Sequence, residues 1–218
     1  MINRVVFTGR MGSGKDWLAG QIGFRVVGFA DPIYQLADRL IGSHDKSQPG
    51  VRLWLQRIGC WGRGEVSERH PLSIERHEQV ERIRALPPGT YGVGYWHSFG
   101  QHTDFWTNNL IDCLASVEPE DRVCVPNARF QPEVDRLVAI GFEHFHVAGR
   151  HYTPIDRLRA AGQRIDPDDL MDSTEHLAIA LDVLHRLDRT VWNDPRPPDQ
   201  PGQLTVEQFA QLVNQPDV

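Results

Sequence analysis

A glycine-rich turn between a short apolar run and an amphipathic one constrains this chain more than any other feature. Residues 3–8, NRVVFT, are mostly β-branched or apolar and stop at Gly9, the pattern of a buried strand running into a turn. Beyond the turn, DWLAGQIGF sets Trp17, Leu18, Gln21 and Ile22 at helical spacing, with Trp17 read as a packing residue. Strand, glycine loop and helix therefore follow one another. The letters between them, Gly9-Arg10-Met11-Gly12-Ser13-Gly14-Lys15, satisfy G-x-x-x-x-G-K. Such a loop holds phosphate because consecutive backbone N–H groups curl round the anion and the lysine adds a positive charge. Gly9, Gly12 and Gly14 supply the backbone freedom and Lys15 the charge.

The next position breaks the pattern. A Ser or Thr hydroxyl normally reaches Mg²⁺ there, whereas this chain has Asp16. A carboxylate beside a triphosphate repels it unless a cation sits between them. Asp16 is thus either a Mg²⁺ ligand, direct or through water, or a helix-start charge facing outward.

The rest of the chain keeps alternating. RVVGFA (25–30) reads as a second strand, IYQLADRLI (33–41) and VRLWLQRIG (51–59) as helices, and residues 66–86 as a polar helical stretch before a Pro/Gly-rich loop. Then come a helix over DFWTNNLIDCLASV, a strand over RVCVPN, a helix over PEVDRLVAIG and a strand over FEHFHVAG. TEHLAIALDVLHRL reads as a helix, RTVWND as a short strand and TVEQFAQLV as a helix capped by Thr205. Strands alternating with helices predict an α/β fold: a mostly parallel sheet with helices on both faces, in a single domain spanning residues 1–218.

Composition narrows the function classes. A net charge of −6 argues against a surface that clings to nucleic acid throughout, while leaving room for a local basic groove. Of 23 basic residues only Lys15 and Lys46 are lysine, so one of two lysines stands in the loop. Apolar runs are too short to cross a bilayer and no leader-like segment opens the chain, which points to the cytoplasm and away from membranes. Three cysteines, Cys60, Cys113 and Cys124, and ten histidines lack metal-like spacing; the cysteines read as core or neutral residues and zinc is not expected.

GRMGSGKDWLA, FADPIYQLAD, LQRIG, PNARFQPEVDRLVAIG, STEHL and VWND follow, in order, the pattern of the bacteriophage deoxynucleoside monophosphate kinases, which this chain resembles over most of its length. The Gly-Lys-Asp ending followed by an aromatic residue is also similar to the P-loop type of phosphomevalonate kinase. The resemblance implies a P-loop, nucleoside monophosphate kinase-like fold using ATP and Mg²⁺, with an acceptor-binding insert over about 33–106 and a lid over about 150–170. It gives Gly9, Arg10, Met11, Gly12, Ser13, Gly14, Lys15 and Asp16 to the ATP phosphates, with Arg150 near the lid or donor nucleotide. It places Asp31 at the acceptor pocket, Arg57 and Trp106 among the substrate contacts, Arg129 on the acceptor phosphate and Glu133 as the acid orienting Arg129. Lys15, Asp31 and Arg129 are the implied catalytic set. If viral, the protein would work in the host cytoplasm.

One departure stands out. The family has Asp at the end of the later strand, where this chain has Asn127. With Asp16 replacing a hydroxyl, the metal carboxylate is expected to have moved across the loop, leaving Asp16 and Asn127 as the metal-site pair. Bland readings remain open: Asp31 as a turn residue before Pro32, Glu133 as a helix-start charge, and Arg150, Arg157, Arg159 and Arg164 as a solvated helix.

Three acceptor classes stay in view. A deoxynucleoside monophosphate needs no general base and leads. A second is 5-hydroxymethyluracil in DNA, an alcohol whose proton Asp31 could remove. For it the stretch with Tyr95, Trp96, Phe99, His102 and Trp106 could stack on a flipped base, or simply pack on the core. The third reading covers other small-molecule P-loop kinases and a non-catalytic nucleotide-binding module. The partner is accordingly a nucleotide, or DNA bearing a modified pyrimidine, and a homodimer is open.

Overall fold

The computed structural model describes residues 2–9, 13–64, 74–87, 96, 99–148, 187–194 and 201–215. The chain divides into two compact units, one made of residues 1–27 with 119–218, the other of residues 28–118.

The first unit is built on six strands, β1 (Arg4–Thr8), β2 (Arg25–Val26), β3 (Val123–Val125), β4 (Glu143–Ala148), β5 (Thr190–Trp192) and β6 (Leu204–Thr205). They lie in the order β2-β3-β1-β4-β5-β6, and every pair is parallel. The α/β class and the parallel sheet read from the sequence are therefore present. Among the described residues three helices belong to this unit: α1 (Lys15–Gln21), α6 (Gln131–Ala139) and α7 (Val206–Asn214).

Register fixes which residues share a face, because side chains alternate along a strand. Val5 pairs with Cys124, and Phe7 with Phe145. These four, with Val147 and Val191, form one buried core with Leu18 and Ala19 of α1 and Phe209 and Val213 of α7. Phe209 sits edge-on to both Phe7 and Phe145, with centroids 5.6 and 4.7 Å away. Each such side chain contributes on the order of 1.5–3 kcal/mol by leaving water. The other face carries Val6, Thr8, Val123 and Val125, and α6 buries Val134 and Leu137 outside the Phe7 cluster. Thr205 caps α7 as its sequence predicts, its hydroxyl accepting from Gln208 N at 3.2 Å.

The second strand is shorter than RVVGFA suggests. Val27 N still donates to Cys124 O at 3.0 Å, but at Gly28 the chain turns into the helix that begins at Asp31.

Among the described residues the second unit holds four helices, α2 (Asp31–Ile41), α3 (Val51–Gly62), α4 (Ile74–Arg84) and α5 (Phe105–Leu114). Its core gathers Leu36, Ile58, Trp61, Ile83, Trp96, Phe99, Phe105 and Trp106. Trp106 Nε1 donates to Gly59 O at 2.8 Å, and its ring lies so close to Gly62 that an added Cβ there would sit 2.8 Å from Nε1. The insert expected over 33–106 falls within the residues of this unit.

Candidate functional site

The sheet order itself marks a place for a ligand. From β1 the chain crosses to β2 on one side, whereas from β3 it crosses to β4 on the other. Right-handed crossovers in opposite directions put α1 and α6 on opposite faces. The adjacent carboxyl ends of β1 and β3 are therefore a topological switch point, where open α/β sheets bind ligands. The glycine loop leaves one of these ends, and Asn127 and Arg129 follow the other.

At the loop, Gly9 has φ 145° and Gly14 φ 88°, both in the region that glycine adopts without strain. A Cβ on Gly9 would press into the Val147 carbonyl and lie 2.8 Å from Ser13 Oγ, so the two limbs close tightly on the end of β4. Lys15 opens α1 and folds back over the loop. Its Nζ donates to Gly9 O at 2.8 Å and lies 3.5 Å from Ser13 Oγ. Arg10, Met11 and Gly12 lie outside the described residues, as do Arg150 and the lid expected over 150–170.

Asp16 is exposed in the first turn of α1. It still lies within electrostatic reach of the end of β3: burial first, and then the Asp16 carboxylate, push the Cys124 thiol up from its ordinary value. Trp17, read from the sequence as packing, is instead 52% exposed, and Leu18 and Ala19 take the core positions. The helix is only seven residues long, so its buried stripe is narrow and Trp17 falls outside it.

A divalent cation that accompanies a triphosphate asks the protein for one or two carboxylates and takes its other oxygens from phosphate and water. Asp16 supplies one carboxylate and Asn127, half-buried beyond β3, a neutral oxygen, a donor set that fits such an ion. Among the described residues no group of three or more His, Cys, Asp or Glu side chains forms an all-protein metal cage.

Glu133 occupies the first turn of α6. Its Oε2 accepts from the backbone N–H groups of Arg129, at 2.8 Å, and Phe130, at 3.1 Å. It therefore orients the Arg129 segment through the main chain while satisfying the free donors of the helix start. Both contacts are to main-chain N–H groups at the start of the helix, which is what the helix-start reading describes.

The remaining expected site residues belong to the second unit. Asp31 Oδ2 accepts from Gly28 N at 2.8 Å, and Asp31 N donates back to Gly28 O at 3.1 Å, a reciprocal closure of the turn into α2. Arg57 lies over the Trp54 ring, 5.7 Å from its centroid. Trp106 is 3% exposed with its indole N–H already spent on Gly59, and Trp96, Phe99 and Phe105 are buried beside it. Of the two readings of that aromatic stretch, core packing is the one these contacts describe.

Two sets of residues escaped the sequence reading. Asn193, just past β5, donates from Nδ2 to Ser13 O at 2.9 Å, while its own N–H is bonded to Ala148 O, also at 2.9 Å. An asparagine ending an apolar run was the signal in VWND. Thr8, the last residue of β1, lies 2.8 Å from His144 Nε2 and 3.1 Å from His146 Nδ1. Strand alternation in EHFHVA already puts both histidines on one face. A hydroxyl has one proton to give, so at most one imidazole nitrogen receives it and the other must present N–H.

No protein-family model matches this chain, and no curated protein matches it. Among solved structures it is similar to an unliganded sugar kinase from Janibacter sp. HTCC2649, at 17% sequence identity over 98% of this chain and 92% of that one, with a TM-score of 0.41. A likeness that weak bears on neither fold nor chemistry. Among the described residues no helix is long and apolar enough to cross a membrane.

Proposed function

We propose that this protein is a P-loop phosphotransferase that moves the γ-phosphoryl group of ATP to a deoxynucleoside monophosphate. The observation that carries the proposal is the Lys15 ammonium bonded to the Gly9 carbonyl beside the switch point, in a chain whose sequence there reads G-x-x-x-x-G-K. A cation that leans on a loop carbonyl is ready to exchange that partner for the stronger, charge-assisted contact of a phosphate oxygen.

The bond between the γ-phosphorus and the β-bridging oxygen breaks, leaving ADP. A bond forms to a phosphate oxygen of the acceptor. That oxygen is already ionised near neutral pH, so no side chain need remove a proton. The work left to the protein is positioning and charge neutralisation. In this scheme Lys15 meets the β- and γ-phosphates and Arg129, held through Glu133, takes the acceptor phosphate. Asp16 and Asn127 would hold Mg²⁺, which when bound would supply positive charge beside the phosphate oxygens. Asp31 and Arg57 are assigned to the acceptor side on the family resemblance, as are the lid and Arg150 on the donor side.

Labelled ATP offered with deoxynucleoside monophosphates in one arm and DNA containing 5-hydroxymethyluracil in the other tests the reading. Label on the free nucleotide supports it. Label only in DNA replaces it with base phosphorylation within DNA, and ATP binding without ADP release in either arm makes the protein a binding module. For the metal assignment, Asp16→Ala should cost at least tenfold in Mg²⁺-dependent turnover. Turnover within twofold of the parent would remove Asp16 from the site.

A further inference from the structure

We infer that Asn193 is a positioning residue for phosphate binding: it fixes the Ser13–Gly14 peptide so that the Gly14 N–H points into the loop. The inference rests on the phosphate-loop reading above.

In a trans peptide the carbonyl and the following N–H point in opposite directions. Asn193 Nδ2 holds the Ser13 carbonyl at 2.9 Å, on the side of β5. The Gly14 N–H is thereby turned away from β5, and among the described residues it meets no acceptor. Gly14 O is engaged separately, accepting from Leu18 N at 2.9 Å as α1 begins. The Ser13–Gly14 peptide is thus held at its carbonyl by one buried side chain, while the helix holds the peptide that follows, Gly14–Lys15.

Asn193 is itself well anchored. It is 8% exposed and its backbone N–H bonds to Ala148 O, so the side chain is presented from the joined ends of β4 and β5. Ser13 is 3% exposed, which keeps water from replacing the amide. A glycine in the left-handed region has little of its own to hold its peptide orientation, and Gly14 has φ 88°. Asparagine suits the post because its amide nitrogen donates while carrying no charge that would compete with the phosphate. Aspartate would bring an oxygen against an oxygen and drive the peptide over.

The test is calorimetric titration of ATP and of inorganic tripolyphosphate into the wild-type protein, Lys15→Ala, Asn193→Ala and Asn193→Asp, each first checked for a cooperative melt by circular dichroism. Asn193→Ala should weaken both ligands alike, about tenfold, and Asn193→Asp by more, since the lost contact serves phosphate and not the base. In turnover assays KM for ATP should rise while KM for the acceptor stays put, a split that a loss of folded protein alone would not give. Either variant binding tripolyphosphate within twofold of wild type overturns the inference, as does weakening of ATP alone. Should both variants fail to fold, ¹⁵N spectra of the wild-type protein decide. The Gly14 amide must shift strongly as tripolyphosphate is added, and an unmoved Gly14 resonance refutes the role. A wild-type protein that binds neither ligand instead refutes the phosphate-loop reading itself, while Lys15→Ala losing binding with Asn193 variants unaffected sinks only the positioning role.

Discussion

The two compact units use their distinctive residues in opposite ways. In residues 1–27 with 119–218, polar side chains hold backbone: Lys15 on Gly9, Glu133 on Arg129 and Phe130 locally, and Asn193 on Ser13 from far along the chain. In residues 28–118, large aromatic rings fill a core, with Phe105 and Trp106 at 4.8 Å and Phe99 within 6 Å of both. A side chain spent on shaping a loop leaves that loop able to receive a ligand, whereas a ring spent on packing is unavailable to one. In the first unit the conspicuous residues hold backbone, and in the second they fill a core.

That contrast breaks most sharply at Lys15. Lys15→Met should lower kcat/KM by at least about 10³ while the melting temperature stays within a degree or two, because the lost charge acts on phosphate and not on packing. A large drop in stability with modest loss of turnover would reverse the assignment.

Trp106 is the converse. Trp106→Ala should destabilise the second unit by about 3–5 kcal/mol, read by denaturant unfolding. Trp106→Phe should cost about 1–3 kcal/mol by leaving the Gly59 carbonyl unmet. Acceptor KM of the folded Phe variant should not move; a rise would return Trp106 to the substrate site.

Gly14→Ala is a smaller perturbation that touches both properties. The left-handed backbone at φ 88° costs a Cβ-bearing residue about 1–2 kcal/mol, so stability should fall by that amount or the loop should relax and ATP binding weaken. Titration and melting together distinguish the two.

The smallest effect concerns Cys124. Its thiol is pushed up from an ordinary value of 9.0, by burial first and the Asp16 carboxylate second. The folded state therefore resists forming the thiolate that the unfolded chain forms freely. The associated stability is complete below about pH 9 and declines as pH rises from there towards the folded value, by at most about 1.4 kcal/mol per unit. Cys124→Ala should flatten that alkaline limb in pH-dependent melts.

Much of the first unit was legible because strand and helix periods are local properties. The runs at 3–8, 122–127 and 142–149 contain the strands found, and Thr205 announces its helix by an oxygen and a following glutamine. What escaped was non-local or too short. Leu204–Thr205 is a two-residue strand with no period to detect, and Asn193 acquires its role only from a partner far away in sequence. Trp17 was misjudged because periodicity gives a residue's direction but not the width of the face that is covered, and for Trp106 the sequence left packing and stacking both open. The seven-residue α1 leaves Trp17 exposed, while a helix packed against Gly59 and Gly62 encloses Trp106. The site was legible as a motif, its supports only as a fold.

The hydrogen bond from Asn193 to Ser13 spans 180 positions. Domains made on the ribosome emerge N-terminus first, at about 5–20 residues per second. The glycine loop emerges ahead of the side chain that holds its Ser13 carbonyl, which follows roughly ten seconds or more behind it. A nascent chain halted before residue 193 would carry every residue of the motif and lack the contact that holds the Ser13 carbonyl, so the loop would be locked only once that residue had emerged.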